Sequence, residues 1–251
     1  MGSTAGRTNR LVGLLYQTDQ SVCKPAMLIT MARDGTANRE RILDVAQRLV
    51  LQRGFAATSV DAVIAGASAS KGGFFHHFRS KNELGLALLE RYAAADKRLL
   101  EEFMAEAEAE SDDPAEQLVA FVRRFELVAA ELAPAQPGCL FVSFIYESQL
   151  AGDGSRDLIA ESIRDWRKRL LEKLEAAARL HPPAVSVDLA SLADHVFTVF
   201  EGGFILVRAM DEPQHLPAQL AHVRHYLELL FGLSPAQPGR GRQRAADSRA
   251  R

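Results

Sequence analysis

Apolar residues recur at three- and four-residue spacing through most of the chain, and no run alternates in the two-residue rhythm of a strand. Helices are therefore predicted almost throughout. From Asn38 to Arg53, the positions Ile42, Leu43, Ala46, Leu49 and Val50 form one stripe, and Gly54 stands where a helix ends in a left-handed residue. Thr58, with Asp61 three residues on, carries a capping-box pattern and opens a short second helix, Ser59–Ala65. The small residues Gly66, Ala67, Ser68 and Ala69 make a tight turn into a third helix, Ser70–His77. Ser80 and Glu83 repeat the capping pattern at the head of a long helix reaching Glu110. Further helices are predicted over Ala115–Leu132, Leu140–Leu150, Arg156–Leu180, Val187–Met210 and Leu216–Phe231, with breaks at the intervening Pro and Gly clusters. The fold class is all-α: three short helices, then six longer ones.

This pattern divides the chain. Residues 1–37 are weakly periodic and are either a genuine N-terminal extension or a mis-assigned start, since Met27 or Met31 would serve as well. Residues 38–80 form a three-helix module, residues 81–233 a larger helical domain, and residues 234–251 a basic tail rich in Pro, Gly and Arg that is expected to be disordered. A hydrophobic share of 47% is ample for a substantial core. The apolar patch Leu11–Tyr16 is too short to span a bilayer and no small-residue cleavage site follows it, so a cytoplasmic protein with no membrane segment is expected. Cys23 and Cys139 stand far apart, with neither a disulfide framework nor metal-ligand spacing. The net charge of −2 conceals an asymmetry. Between Arg33 and Lys81 eight cations face four anions, so a basic module is carried on an acidic body.

Two short helices joined by so small a turn make a helix-turn-helix, whose second helix enters the DNA major groove. In that second helix Gly72 and Gly73 together cost about 2 kcal/mol of propensity, which points to close approach of a DNA backbone. Phe74 and Phe78 are predicted to pin the helix to the core. His76 and His77, adjacent on a helix, point in different directions and make a poor metal pair.

Ser70-Lys71-Gly72-Gly73-Phe74-Phe75-His76-His77-Phe78, followed by Ser80-Lys81-Asn82-Glu83-Leu84, closely resembles the signature of the tetracycline-repressor (TetR) family. So does the lead-in from Arg41-Ile42-Leu43-Asp44-Val45-Ala46 through Gly54-Phe55 and Thr58-Ser59-Val60-Asp61. The resemblance covers roughly Arg39 to Leu84 and implies a homodimeric repressor on a near-palindromic operator, with a C-terminal ligand-binding and dimerisation domain and a small-molecule inducer. It places the DNA contacts at Thr58, Ser59, Lys71, Gly72, Gly73, Phe75, His76 and Lys81. By their chemistry Thr58, Lys71, His76 and Lys81 suit phosphates. Two positions depart from the family: Phe75 stands where Tyr is common, and Ser68-Ala69 replaces Gly-Val in the turn. The resemblance further implies that the last two long helices meet their symmetry mates in a four-helix bundle, with the stripe Leu216, Leu220, Val223, Leu227 and Leu230 suited to that contact.

Beyond the motif, Cys139 follows Pro137-Gly138 at the head of an apolar helix, where the macrodipole would lower a thiol pKa. Some TetR-like repressors that sense electrophiles carry a cysteine after a similar break. A small, buried, inert sulfur is the competing reading. Tyr146, Glu147, Trp166, His195, Glu201 and Arg208 are polar or amphipathic groups on apolar helices, the kind of set from which mixed pockets are built. No nucleophile elbow, phosphate loop or paired metal ligands occur, so no cofactor, metal or enzymatic activity is implied. Gly202-Gly203 reads as a close-packing point within a helix. A plain helical interaction module is the remaining alternative, and it leaves Gly72 and Gly73 without a reason.

Overall fold

The computed structural model describes residues 35–132, 138–147 and 154–233. Residues 1–34 of the expected N-terminal extension, the basic tail, Cys23 and the breaks at 134–137 and 152–153 lie outside these residues, and Gly35, Thr36 and Ala37, expected in the extension, belong to the first helix. Among the described residues the only regular secondary structure is nine α-helices: α1 (Gly35–Arg53), α2 (Val60–Gly66), α3 (Lys71–His77), α4 (Lys81–Glu110), α5 (Pro114–Leu132), α6 (Leu140–Ile145), α7 (Ser155–Leu180), α8 (Leu189–Met210) and α9 (His215–Leu230). The expected helix Leu140–Leu150 is shorter than its apolar run: α6 closes at Ile145, with Tyr146 and Glu147 turning away.

Caps set most of the boundaries. Ser59, Ser70 and Ser80 each accept a hydrogen bond from the backbone N–H three residues on, at 3.1, 3.0 and 3.1 Å. The second helix therefore opens at Ser59, one residue after the expected Thr58. Thr58 is only 3% exposed, and its hydroxyl donates to the Gly54 carbonyl at 2.8 Å. Asp188 caps α8 by accepting from Ala190 and Ser191, and Asp113 receives the Ala115 N–H at the head of α5. Gly54 takes the left-handed conformation (φ +85°) that ends α1.

α1 packs against α2, α3, α4 and α6, while α4, α5, α7, α8 and α9 build the larger bundle. α4 belongs to both. Its first turns, through Leu84 and Leu88, close a small gap lined by Ala46, Val50, Val60 and Val63 of α1 and α2. Residues Leu99 to Ala107 lie in the same core as α5 and α9. The boundary expected at residue 80 is thus a change of helix within a continuous core. At the α8–α9 contact a side chain at Gly203 would stand 2.6 Å from a Leu216 methyl and 3.1 Å from its Cα, so the close-packing reading holds there; Gly202 faces open space.

The apolar stripe of α9 corrects an expectation. Leu216, Leu220, Val223, Leu227 and Leu230 are all buried within the protomer, Leu227 at 1% exposure, so they pack on the chain's own α5 and α8. A charge at Leu227 would break the fold itself. The outward face of α9 carries Tyr226 and Leu229, and that of α8 carries His195, Gly202 and Ile205. α8 is long and apolar enough to cross a membrane by composition alone, yet it is packed against α7 and α9.

The turn between α2 and α3 is held by Arg41, whose Nε donates to the Ala67 carbonyl at 3.2 Å. Ser68 within it adopts φ +49°, where a side chain is crowded by its own carbonyl. Replacing the departure from the family with glycine, Ser68→Gly, is expected to raise stability by about 1 kcal/mol, the relief of left-handed strain outweighing the added freedom of the unfolded chain. A higher thermal midpoint with an unchanged helical spectrum is the expected result.

Candidate functional site

The face expected to read DNA is built from α2 and α3. Phe74 and Phe78 are buried with their rings 5.7 Å apart, and they anchor α3 as expected. With one face of α3 so fixed, Lys71, Gly72, Phe75 (44% exposed) and His76 stand outward, next to the exposed Ser59. The two glycines have different reasons to be there. A side chain at Gly72 would meet nothing within 4 Å, so the space beside it is free for a partner. At Gly73 it would come within 3.0 Å of the Ser70 hydroxyl and 3.6 Å of Asn38, so Gly73 serves the cap and the packing on α1. Burial lowers the pKa of His77, with the neighbouring His76 and Arg39 adding to the effect.

Two expected contacts sit differently. Thr58 turns inward, leaving Ser59 as the hydroxyl presented at the head of α2. Lys81 reaches back instead of outward: its ammonium donates to the Ala56 carbonyl at 3.0 Å and lies 4.6 Å over the Phe55 ring. Burial lowers its pKa, against the opposing pull of Glu147.

Within the larger domain, α4–α9 line a narrow aromatic cavity. Phe125 stands between Trp166 and Phe200, with ring centres 5.3 and 5.9 Å away. Three of the predicted pocket residues, Cys139, Trp166 and Glu201, line it. Its further polar group, Asp96, was not singled out from sequence. The Trp166 indole N–H donates to the Asp96 carboxylate at 2.6 Å. The one available signal was an acid next to the stripe Tyr92, Ala95 and Leu99 of α4.

A second, open cleft lies between α1, α6 and α8 and shares Cys139 and Glu201 with the cavity. Tyr146, Glu147 and Arg208 line this cleft instead of the cavity, Tyr146 at 86% exposure. Glu147 accepts from the Ala56 N–H at 2.6 Å, and the Arg208 guanidinium donates to the Leu51 and Gln52 carbonyls at the end of α1. Both tie the larger domain to the segment that leads into α2. His195 lines neither space; it sits on the outer face of α8. Among the described residues no cluster of three or more His, Cys, Asp or Glu is placed to hold a metal ion.

Of the two readings of Cys139, the small buried sulfur is the one that the structure supports, and the lowered thiol pKa is corrected. Burial, and then the neighbouring Glu201 carboxylate, push its pKa well above the usual thiol value. Tyr92 donates its hydroxyl to the sulfur at 3.8 Å. A six-residue helix supplies too little dipole to offset this burial.

Burial raises the Asp96 carboxyl to about 6, against the Trp166 hydrogen bond that favours the ionised form. It raises Glu201 to about 7, opposed by a hydrogen bond to Cys139 and helped by the charge of Asp96.

Family models match both halves of the chain. The model described as bacterial regulatory proteins, tetR family, matches residues 42–88, and that of the tetracyclin repressor-like C-terminal domain matches residues 114–223. The HTH-type transcriptional repressor NemR of Escherichia coli K12 is 25% identical over 189 residues, covering 75% of this chain and 93% of that protein. The transcriptional regulator AcuR of Cereibacter sphaeroides is 24% identical over 185 residues, 74% of this chain and 83% of that protein. Among solved structures, the reduced form of E. coli NemR superposes with a TM-score of 0.58 at 25% identity, over 75% of this chain and 96% of the other. A TetR transcriptional regulator from Chloroflexus aurantiacus gives 0.64 at 26% identity, over 79% and 98%.

Raised carboxyl pKa values mean that the folded chain holds protons that the unfolded chain has already released. The contribution of Asp96 and Glu201 is therefore full below the ordinary carboxylate range and is lost as the pH rises towards about 7. Glu201→Gln is expected to melt close to the wild type at pH 5 and several degrees above it at pH 8. Equal midpoints at both pH values would show that Glu201 ionises freely.

Proposed function

The chain belongs to the TetR family of transcriptional regulators, and from that membership we propose that it is a cytoplasmic repressor that binds a palindromic operator as a homodimer and is released by a small molecule. The observation that carries the reading is the shared wall between cavity and cleft. Cys139 and Glu201 line the narrow cavity on one side and the cleft beneath α1 on the other. A molecule wedged into the cavity displaces the elements that hold Glu147 and Arg208, and through them the Ala56 segment and the end of α1. Such coupling needs one arrangement that fits DNA and another that fits the ligand.

In this reading Ser59, Lys71, Gly72, Phe75 and His76 meet the duplex. Lys71 and His76 meet phosphates, and Lys81 exchanges the Ala56 carbonyl for a phosphate when DNA arrives. One helix-turn-helix spans too few base pairs to select a site, so two copies at a fixed spacing are required. The outer faces of α8 and α9 suit the dimer contact. Ile205 is 60% and Leu229 76% exposed in the protomer, and the open side of Gly202 admits a close helix. An enzyme is disfavoured, because the cavity holds two carboxyls and a protonated thiol but no activated nucleophile.

A gel shift with the DNA flanking the gene tests the regulator directly; no shifted species with any flanking fragment would refute it. Lys71→Ala is expected to weaken binding to operator and unrelated DNA alike and to flatten the salt dependence by roughly one unit per lost contact. Salt titrations by fluorescence anisotropy check this, and an unaltered slope removes Lys71 from the phosphate contacts.

Leu229→Glu is expected to leave the protomer folded, since the side chain is already in water there. At a two-fold interface the charge meets desolvation, so light scattering should give the monomer mass and operator affinity should collapse. A variant that stays dimeric would place the interface elsewhere.

A further inference from the structure

Resting on the ligand-cavity reading above, we infer that the cavity takes a flat organic cation, with Asp96 and Glu201 as its counter-ions and the faces of Phe125, Trp166 and Phe200 as its walls. The lining contains two charged side chains, both carboxylates, and no lysine, arginine or histidine. Neither carboxylate has a basic partner in an ion pair among the described residues; Asp96 is met by the Trp166 indole and Glu201 by the Cys139 thiol. The contrast with the rest of the domain is sharp. Arg124 pairs with Glu106 and Glu110, Arg169 with Glu101 and Glu108, and Arg224 with Glu126 and Glu228. Those six carboxylates are matched by arginines, whereas Asp96 and Glu201 face a cavity walled by aromatic rings.

Aromatic faces carry negative potential, so carboxylates and rings together attract the same kind of guest, a delocalised or quaternary cation. An anion would be repelled by both, and a neutral hydrocarbon would leave the carboxylates uncompensated. The approach agrees. A groove between α4 and α7 shares Asp96 and Trp166 with the cavity and carries Glu90, Glu161 and Asp165. Its one cation, Lys97, is bound to Asp165 at 2.7 Å. Such an acid-lined entrance concentrates cations. On the opposite side of Glu201, the cleft contains Arg53, Arg208 and Glu147, and the Arg208 guanidinium is already held by the carbonyls of Leu51 and Gln52.

The test compares three two-ring probes of one shape and different charge on the full-length protein: N-methylquinolinium, 1-methylnaphthalene and 1-naphthoate. Calorimetry gives affinities, and the fluorescence of Trp166, the chain's one tryptophan, reports occupancy of the cavity. The cation is expected to bind at least about tenfold tighter than the hydrocarbon, and naphthoate weakest of the three. Its affinity should fall from about pH 8 to about pH 6 as Glu201 takes up a proton. Glu201→Gln and, separately, Asp96→Asn should each remove most of the cation's advantage while leaving 1-methylnaphthalene unchanged. Hydrocarbon or naphthoate binding as tightly as the cation, no binding by the cation, or an advantage that survives both substitutions would overturn the inference. The three-probe comparison on the wild type stands even if a variant fails to fold. Gel shifts on the same samples keep the two readings apart. Loss of all DNA binding sinks the regulator, whereas DNA binding without cation preference sinks only the choice of ligand.

Discussion

Phe55 leaves the end of α1 and lays its ring over Gly85 of α4, where a side chain on that glycine would come within 2.8 Å of the ring. Phe144 of α6 stands 4.8 Å away, and the Lys81 ammonium covers another face. This contact joins the small module to the large one through buried carbon, and the polar bonds around it have direction only because the ring fixes the register. Ala56, next in the chain, presents its N–H to Glu147 and its carbonyl to Lys81. Gly54, on the other side of Phe55, is favoured as glycine by its φ of +85°, and a side chain there would also push the Glu147 carboxylate, 2.8 Å away, off its place. Three consecutive residues thus carry most of the mechanical joint.

The joint matters because α4 is one helix of 30 residues with its two ends in different parts of the core. Arg91, partly buried on it, ties Glu40, Asp44 and Gln47 of α1 to the shaft. A rigid shaft pinned to α1 turns small displacements near the cavity into displacements of α3. Packed cores switch between discrete arrangements and do not deform smoothly. The short, weakly dipolar α6 lies between cavity and joint, since Cys139 at its head borders the cavity and Phe144 and Glu147 at its end touch the joint.

Electrostatics divides the molecule in another way. Arg124, Arg169 and Arg224 pair with six carboxylates of the large domain, whereas Asp96 and Glu201 are matched by an indole and a thiol. Leaving carboxyls half-buried without a cation opposes stability at neutral pH. A bound cation would relieve that cost, and so the same two residues are the most informative feature of the cavity and a weak point of the empty fold.

Local spacing was enough for the all-helical class, the capping serine at 80, the left-handed Gly54, and the inward Phe74 and Phe78 of the helix-turn-helix. Each of these follows from interactions between residues a few positions apart, which local spacing records. Outward placement of Lys71, Phe75 and His76 follows in turn from which face Phe74 and Phe78 bury. Local spacing is silent where the partners lie far apart along the chain. Lys81 turns to Ala56, Glu147 leaves the pocket set to hold the joint, and Asp96 enters the cavity through Trp166, 70 positions away. The α9 stripe looked like a dimer seam, because periodicity shows that a helix has an apolar face but not whether its own core or a second copy will cover it. Cys139 is the sharpest case: the helix head pointed to a lowered pKa and the apolar run to an inert buried sulfur, and burial beside a carboxyl, a property of the assembled core alone, decided for the second.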